Sequence, residues 1–190
     1  MTGIILSGGG NTRMGRNKAF LRIGDERLID RTVRILRSLF REVIIVVANP
    51  LDYLDQDAAI VTDILPRRGA LGGLYTGLFY ATDDYAFVAA CDIPFLNRSF
   101  IVYLASQADG YDIVVPAPPD GLQPLHAVYS RRCLSAIRNL LDRNRLQIKE
   151  LYRGQRILAI EHAVLSAFDP EGRMFMNVNT PEDLRNLPPL

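Results

Sequence analysis

Residues 43–48 read VIIVVA, six apolar residues in a row of which five are β-branched. A run with no polar side makes a strand covered on both faces, the kind found inside a parallel sheet. GIIL at 3–6, AIVTD at 59–63 and YAFVAA at 85–90 are further short apolar runs. Between them the apolar period changes to that of a helix. Ile29, Val33, Leu36 and Phe40 recur every three or four positions over 26–40, with Arg31, Arg34 and Arg37 expected on the solvent side. A helix of small residues is expected over about 71–81. Strand-length runs alternating with helix-length segments specify an α/β fold: a mainly parallel sheet with helices on both faces.

The second half is less regular. DIVVPA (112–117), PLHAVY (124–129) and RILAI (156–160) read as strands, and residues 131–142 as a helix with Leu134, Ile137 and Leu141 on one side. Asn97 is placed to cap a helix, and Thr180-Pro181-Glu182-Asp183 has the residue order of a helix start. The 190 residues contain no internal repeat, linker or low-complexity stretch. They are expected to form one domain over 1–190.

Charge narrows the ligand. Lys and Arg total 22 against 21 Asp and Glu, a net charge of +1, which speaks against a nucleic-acid or membrane-surface partner. A polyanion must then be met by a local cluster, and a small ligand is expected. Cys91 and Cys133 have neither metal-binding spacing nor a disulfide framework. With no signal sequence and no membrane-length apolar run, the expectation is a cytoplasmic protein.

That local cluster is LSGGGNTRMGRNK, residues 6–18, directly behind the first strand. Ligands of open α/β sheets bind at this edge, beyond the carboxyl ends of the strands. Gly8, Gly9 and Gly10 are expected to supply positive φ and close backbone approach, so that successive N–H groups cradle anionic oxygens. Arg13 and Lys18 add full positive charge. The segment is not a Walker A loop, because Gly15 is followed by Arg16-Asn17-Lys18, and not a dinucleotide fingerprint, because Arg13 stands where that motif needs glycine. The competing reading is a tight turn with incidental basic residues.

Three further polar residues end strands at the same edge: Asn49 after VIIVVA, Asp63 in AIVTD, and Asp92 after YAFVAA. Each is either a ligand contact or a turn residue. His126 and His162 are the only histidines, and neither lies in a phosphate loop, so Ser/His/Asp or Cys/His catalysis finds no support.

LSGGGNTRMGRNK resembles the LAGGxSxRMGxDK signature of nucleotidyltransferases that build cofactor dinucleotides, most closely the molybdenum cofactor guanylyltransferase family. RGALGGL (68–74) is similar to that family's GPLxG segment, CDIP (91–94) to its CDxP, LQPLHAVY (122–129) to QPLxAxY, and NVNTPEDL (177–184) to its C-terminal motif. The resemblance implies a Rossmann-like nucleotidyltransferase that moves GMP from MgGTP to the phosphate of molybdopterin. It implies Asp92 as the Mg²⁺ ligand, with Lys18 and Arg13 on the β- and γ-phosphates. Leu6, Ser7, Gly8 and Gly9, with the GALGG segment, would read the base, and Asn49 and Asp63 would contact the nucleotide. Gln123, Pro124, Asn177 and Asn179 would line the acceptor side, where Arg67 and Arg68 are either phosphate contacts or a solvated pair. Further partners implied are the machinery that donates the cofactor and the molybdoenzymes that accept it. Ser7, Asn17 and Ala70 depart from the family's usual Ala, Asp and Pro. Two alternatives stand beside this reading: a transferase of the same fold using CTP or a different phosphorylated precursor, and a non-catalytic nucleotide-binding module.

Overall fold

The computed structural model describes residues 1–8, 17–178 and 180–188. Seven strands form one sheet: β1 (Thr2–Leu6), β4 (Val43–Val47), β5 (Ala59–Thr62), β6 (Tyr85–Ala90), β7 (Ile113–Ala117), β8 (His126–Ser130) and β9 (Ile157–Glu161). Their spatial order is β5-β4-β1-β6-β8-β7-β9. Two-residue strands β2 (Arg22–Ile23) and β3 (Glu26–Arg27) pair as a separate hairpin. All neighbours in the large sheet are parallel except β8, which runs against both β6 and β7.

Two consequences of this topology place the site. The chain winds from β1 outward through β4 to β5, then returns to the other side of β1 as β6. A crevice therefore opens between the carboxyl ends of β1 and β6. The reversed β8 begins where its neighbours end, with His126 opposite Ala89 near the end of β6. The segment leading into β8, Gln123 to Leu125, is thereby delivered to the same edge.

Helices cover both faces, each over its own apolar cluster. α1 (Leu28–Arg37), α3 (Arg98–Ser106) and α5 (His162–Phe168) pack Ile29, Phe100 and Leu165 against Ile5 and Phe87. α2 (Gly69–Tyr80) and α4 (Leu134–Asp142) pack Leu74, Leu78 and Ile137 against Ile4 and Val88. Ile4 and Ile5 are fully buried on opposite faces of β1, each worth roughly 1.5–3 kcal/mol of burial. α2 sits close on the sheet because Gly77 has no side chain; a Cβ there would lie 2.6 Å from Ile4 Cγ2. A short α6 (Pro181–Arg185) starts from Thr180 with the full capping box, and Asn97 accepts from the Phe100 N–H as the cap of α3. Among the described residues no helix is long and apolar enough to cross a membrane.

Several expectations need correction. α1 is shorter than residues 26–40, because Glu26 and Arg27 join the β2–β3 hairpin. Arg31 is half-buried rather than solvent-facing, its Nε donating to the Pro94 carbonyl at 2.9 Å. α2 begins at Gly69, two residues before the expected start near 71, so the whole GALGG segment belongs to the helix. Residues 131–142 divide into a 3₁₀ turn (Arg131–Cys133) and α4. α5 had no distinct sequence signal.

His126 lies fully buried, its ring 5.2 Å from Phe175, 5.3 Å from Phe87 and 5.8 Å from Phe100. Burial among these rings drives its pKa from the ordinary 6.5 down to about 3. The unfolded chain therefore takes up a proton below 6.5 that the folded one refuses, and stability falls between 6.5 and 3 as pH drops. Urea unfolding at about pH 7 and about pH 4.5 should show wild type losing on the order of 2 kcal/mol more than a His126→Phe variant. Equal losses in the two proteins would contradict this account of the buried imidazole.

Candidate active site

Backbone hydrogen bonds gather the sequence motifs around the end of β6. The Cys91 N–H donates to the Leu6 carbonyl at 3.2 Å, tying the start of the glycine segment to the CDIP turn. The Ala90 N–H donates to Leu125 O at 3.1 Å, tying in the segment before β8. The Val178 N–H donates to Asp92 O at 2.9 Å, bringing the C-terminal motif onto the same turn. Tyr129, fully buried in β8, donates its hydroxyl proton to Pro124 O at 2.8 Å. That bond explains why a tyrosine five residues after Pro124 belongs to the motif.

A cleft of about 320 Å³ lies where these segments meet. Leu6, Ser7 and Gly8 line it from the end of β1, Cys91, Asp92 and Ile93 from the end of β6, and Ala70 from the first turn of α2. Gln123, Pro124 and Asn177 close the other side. Ala70 occupies a helical position whose N–H has no partner within the helix, so the change from the family's Pro leaves the helix start intact.

Electrostatics mark two carboxylates. Burial raises the pKa of Asp92, while the positive charge of Lys18 pulls it back down. Burial also raises Asp63, whose Oδ1 is sealed from water with no hydrogen-bond partner among the described residues. A Cβ built on Gly8 would lie 3.6 Å from Asp63 Oδ2, and one on Gly73 would lie 3.8 Å from Oδ1. The Asp63 carboxylate thus lies between the end of β1 and the first turns of α2. Cys91, beside Asp92, is held as a thiol: burial and the Asp92 charge push it up to about 12.

Leu6, Ser7, Gly8, Asp92, Gln123 and Asn177 are thus brought together at one cleft, with Asp63 and Lys18 beside it. Gly8 does not take a positive φ, correcting the reason given for it; its missing side chain leaves room next to Asp63. Asn49 is exposed at the end of β4 and caps a 3₁₀ turn, accepting from the Leu51 N–H and donating to Asp52. Arg68 donates to Asn144 Oδ1 at 2.6 Å. Gly9, Gly10, Arg13 and Asn179 lie outside the described residues. Sequence reading passed over Ile93 and Leu125, apolar residues with no chemical signature, and Tyr53, whose hydroxyl meets Ser7.

The family model described as the MobA-like NTP transferase domain matches residues 3–164. The chain belongs to this family and is a nucleotidyltransferase, built on a Rossmann-like α/β sheet. A molybdenum cofactor guanylyltransferase from Desulfosudis oleivorans is 42% identical over 186 residues, covering 97% of this chain and 92% of that protein. A probable molybdenum cofactor guanylyltransferase from Pelotomaculum thermopropionicum is 37% identical over 183 residues, covering 96% and 89%. At this level of identity the chain takes its place in the molybdenum cofactor guanylyltransferase family. The crystal structure of molybdopterin-guanine dinucleotide biosynthesis protein A from Archaeoglobus fulgidus shares the fold, with a TM-score of 0.83 at 23% identity over 97% of this chain and 95% of that one.

The buried Asp63 Oδ1, without a hydrogen-bond partner among the described residues, gives a direct expectation. Its folded-state pKa is raised, so holding its charge costs stability at neutral pH. Asp63→Asn should stabilise the unliganded protein by about 1 kcal/mol at neutral pH, with the gain shrinking as acid protonates the wild-type carboxyl. A lower melting temperature in the variant would show that the carboxylate is satisfied in the free protein.

Proposed function

We propose that the cleft binds GTP with Mg²⁺ and transfers GMP to the terminal phosphate of molybdopterin, releasing pyrophosphate. The β1 and α2 side takes the nucleotide, and the side formed by Gln123, Pro124 and Asn177 takes the acceptor. Asn49, at the same sheet edge, meets the nucleotide from outside the cleft. In this reading residues 1–190 act as one domain, with an N-terminal nucleotide half and a C-terminal acceptor half.

One observation carries the choice of base. Asp63 offers a buried oxygen, without a partner among the described residues, beside the start of α2. Guanine presents two adjacent donors, N1–H and the 2-amino group, which a carboxylate accepts together. Cytosine presents one amino group next to an acceptor nitrogen, which a carboxylate repels. Leaving a buried acceptor unpaired costs about 1–3 kcal/mol, enough to discriminate.

Asp92 fits a divalent ion. Its carboxylate lines the cleft and is held partly out of water, and Mg²⁺ typically takes one or two carboxylates with phosphate oxygens and waters. An ion held by Asp92 would supply positive charge against the phosphates and so make the α-phosphorus more electrophilic. Lys18 stabilises the departing pyrophosphate and Arg13 joins it from the glycine segment. The acceptor phosphate is ionised at neutral pH and attacks without a general base. This suits a site whose nearest imidazole, His126, is shut inside an aromatic cluster. The chain's contribution is orientation and fixed charge.

Calorimetry with the purified protein tests the reading. MgGTP should bind at least ~10-fold tighter than MgCTP, equivalent to about 1.4 kcal/mol, and Asp92→Ala should abolish the magnesium-dependent part of the affinity. Tighter CTP binding would transfer the chemistry to a cytidylyltransferase. Unaltered magnesium dependence in Asp92→Ala would remove Asp92 as the metal ligand.

A further inference from the structure

Ser7 and Asn17 sit ten positions apart at the two ends of the glycine segment, and both meet one buried hydroxyl. Tyr53 Oη lies 2.6 Å from Ser7 Oγ and 2.7 Å from Asn17 Nδ2. The direction of the Asn17 bond follows from its neighbour. Asn17 Oδ1 accepts from the Ala19 N–H at 3.1 Å, so the amide nitrogen faces Tyr53 and donates to it. Asn17 donates to Tyr53, and the Tyr53 and Ser7 hydroxyls share the second hydrogen bond.

The tyrosine is held by its surroundings in the described residues. The Tyr53 side chain is 1% exposed, packs its ring 5.0 Å from Phe20, and ends the 3₁₀ turn Pro50–Tyr53 that follows β4. Ser7 is also held through its backbone, its N–H donating to Val46 O in β4 at 2.9 Å. Lys18 follows Asn17 directly. Two of the positions that depart from the family's usual residues, Ser7 and Asn17, are the two that this tyrosine joins.

We propose that Tyr53 is a positioning residue that clips both ends of the phosphate-binding segment to β4, so that Lys18 is set before the nucleotide arrives. The role rests on the nucleotide-binding reading above. Closing the ends of a loop costs conformational entropy. A clip that meets this cost during folding leaves more of the contact energy to appear as affinity.

Tyr53→Phe keeps the ring and removes only the hydroxyl, and two measurements on the full-length variant decide the matter. Trypsin cleavage after Arg13 and Arg16, followed by mass spectrometry without ligand, should be about tenfold faster than in wild type. The Kd for MgGTP should rise by a similar factor, the worth of about one net hydrogen bond. Asn17→Asp is the rescue control. Its carboxylate accepts the Ala19 N–H on one oxygen and the Tyr53 proton on the other, so its cleavage rate should stay near wild type. A Tyr53→Phe variant that melts at lower temperature, yet is cut and binds MgGTP as wild type does, would make Tyr53 a packing residue and overturn the proposal. If wild type itself fails to bind MgGTP, the nucleotide reading falls and the cleavage rates alone decide the clip.

Discussion

Three backbone hydrogen bonds at the end of β6 hold the active edge together. The N–H of Cys91 reaches the carbonyl of Leu6, the N–H of Ala90 reaches Leu125, and the carbonyl of Asp92 receives the N–H of Val178. Because these bonds run between main-chain groups, they tolerate changes of side chain. They also bring segments from positions 6, 92, 125 and 178 to within reach of one ligand. Their geometry depends on the sheet: β1 and β6 must be neighbours, and β8 must run backwards to bring its leading segment to their carboxyl ends.

Electrostatic tension at this edge goes with its chemistry. Burial raises the pKa of both Asp63 and Asp92, so holding their charge at neutral pH costs the free protein stability. For Asp92 the Lys18 charge offsets part of the cost. The histidine nearest the cleft follows the opposite course, sealed among Phe87, Phe100 and Phe175 and kept neutral. Fixed charge is thus concentrated in carboxylates and basic side chains. That is what a reaction between two phosphates requires, since its difficulty is the crowding of negative charge and not the removal of a proton.

Much of this was legible in the sequence. VIIVVA and YAFVAA became buried strands, as unbroken apolar runs should, and Asn97 and Thr180 capped the helices they precede. The position of Asp92 at the cleft was legible because it directly follows a buried strand, and strand ends in a parallel sheet lie at the edge where clefts open. Other features depend on partners far away in the chain. Nothing local in residues 26–27 distinguishes a hairpin strand from a helix start, because Arg22 and Ile23 decide it. The cleft residues Ile93 and Leu125 have no chemical signature. Tyr53 acquires its meaning only where Ser7 and Asn17 converge on it. Asn49 ends β4 at the same edge, and its side chain also caps the next turn.

The chemistry of this family is transfer of a nucleotidyl group to a phosphate acceptor. The most direct measurement is turnover of GTP labelled at the α-phosphate, with and without molybdopterin, by the purified protein in magnesium. The label should move to the cofactor with one pyrophosphate released per GMP transferred, and GTP should stay intact when the acceptor is omitted. Equal release of free GMP with and without acceptor would mean that water is the acceptor, and would contradict transfer to the cofactor.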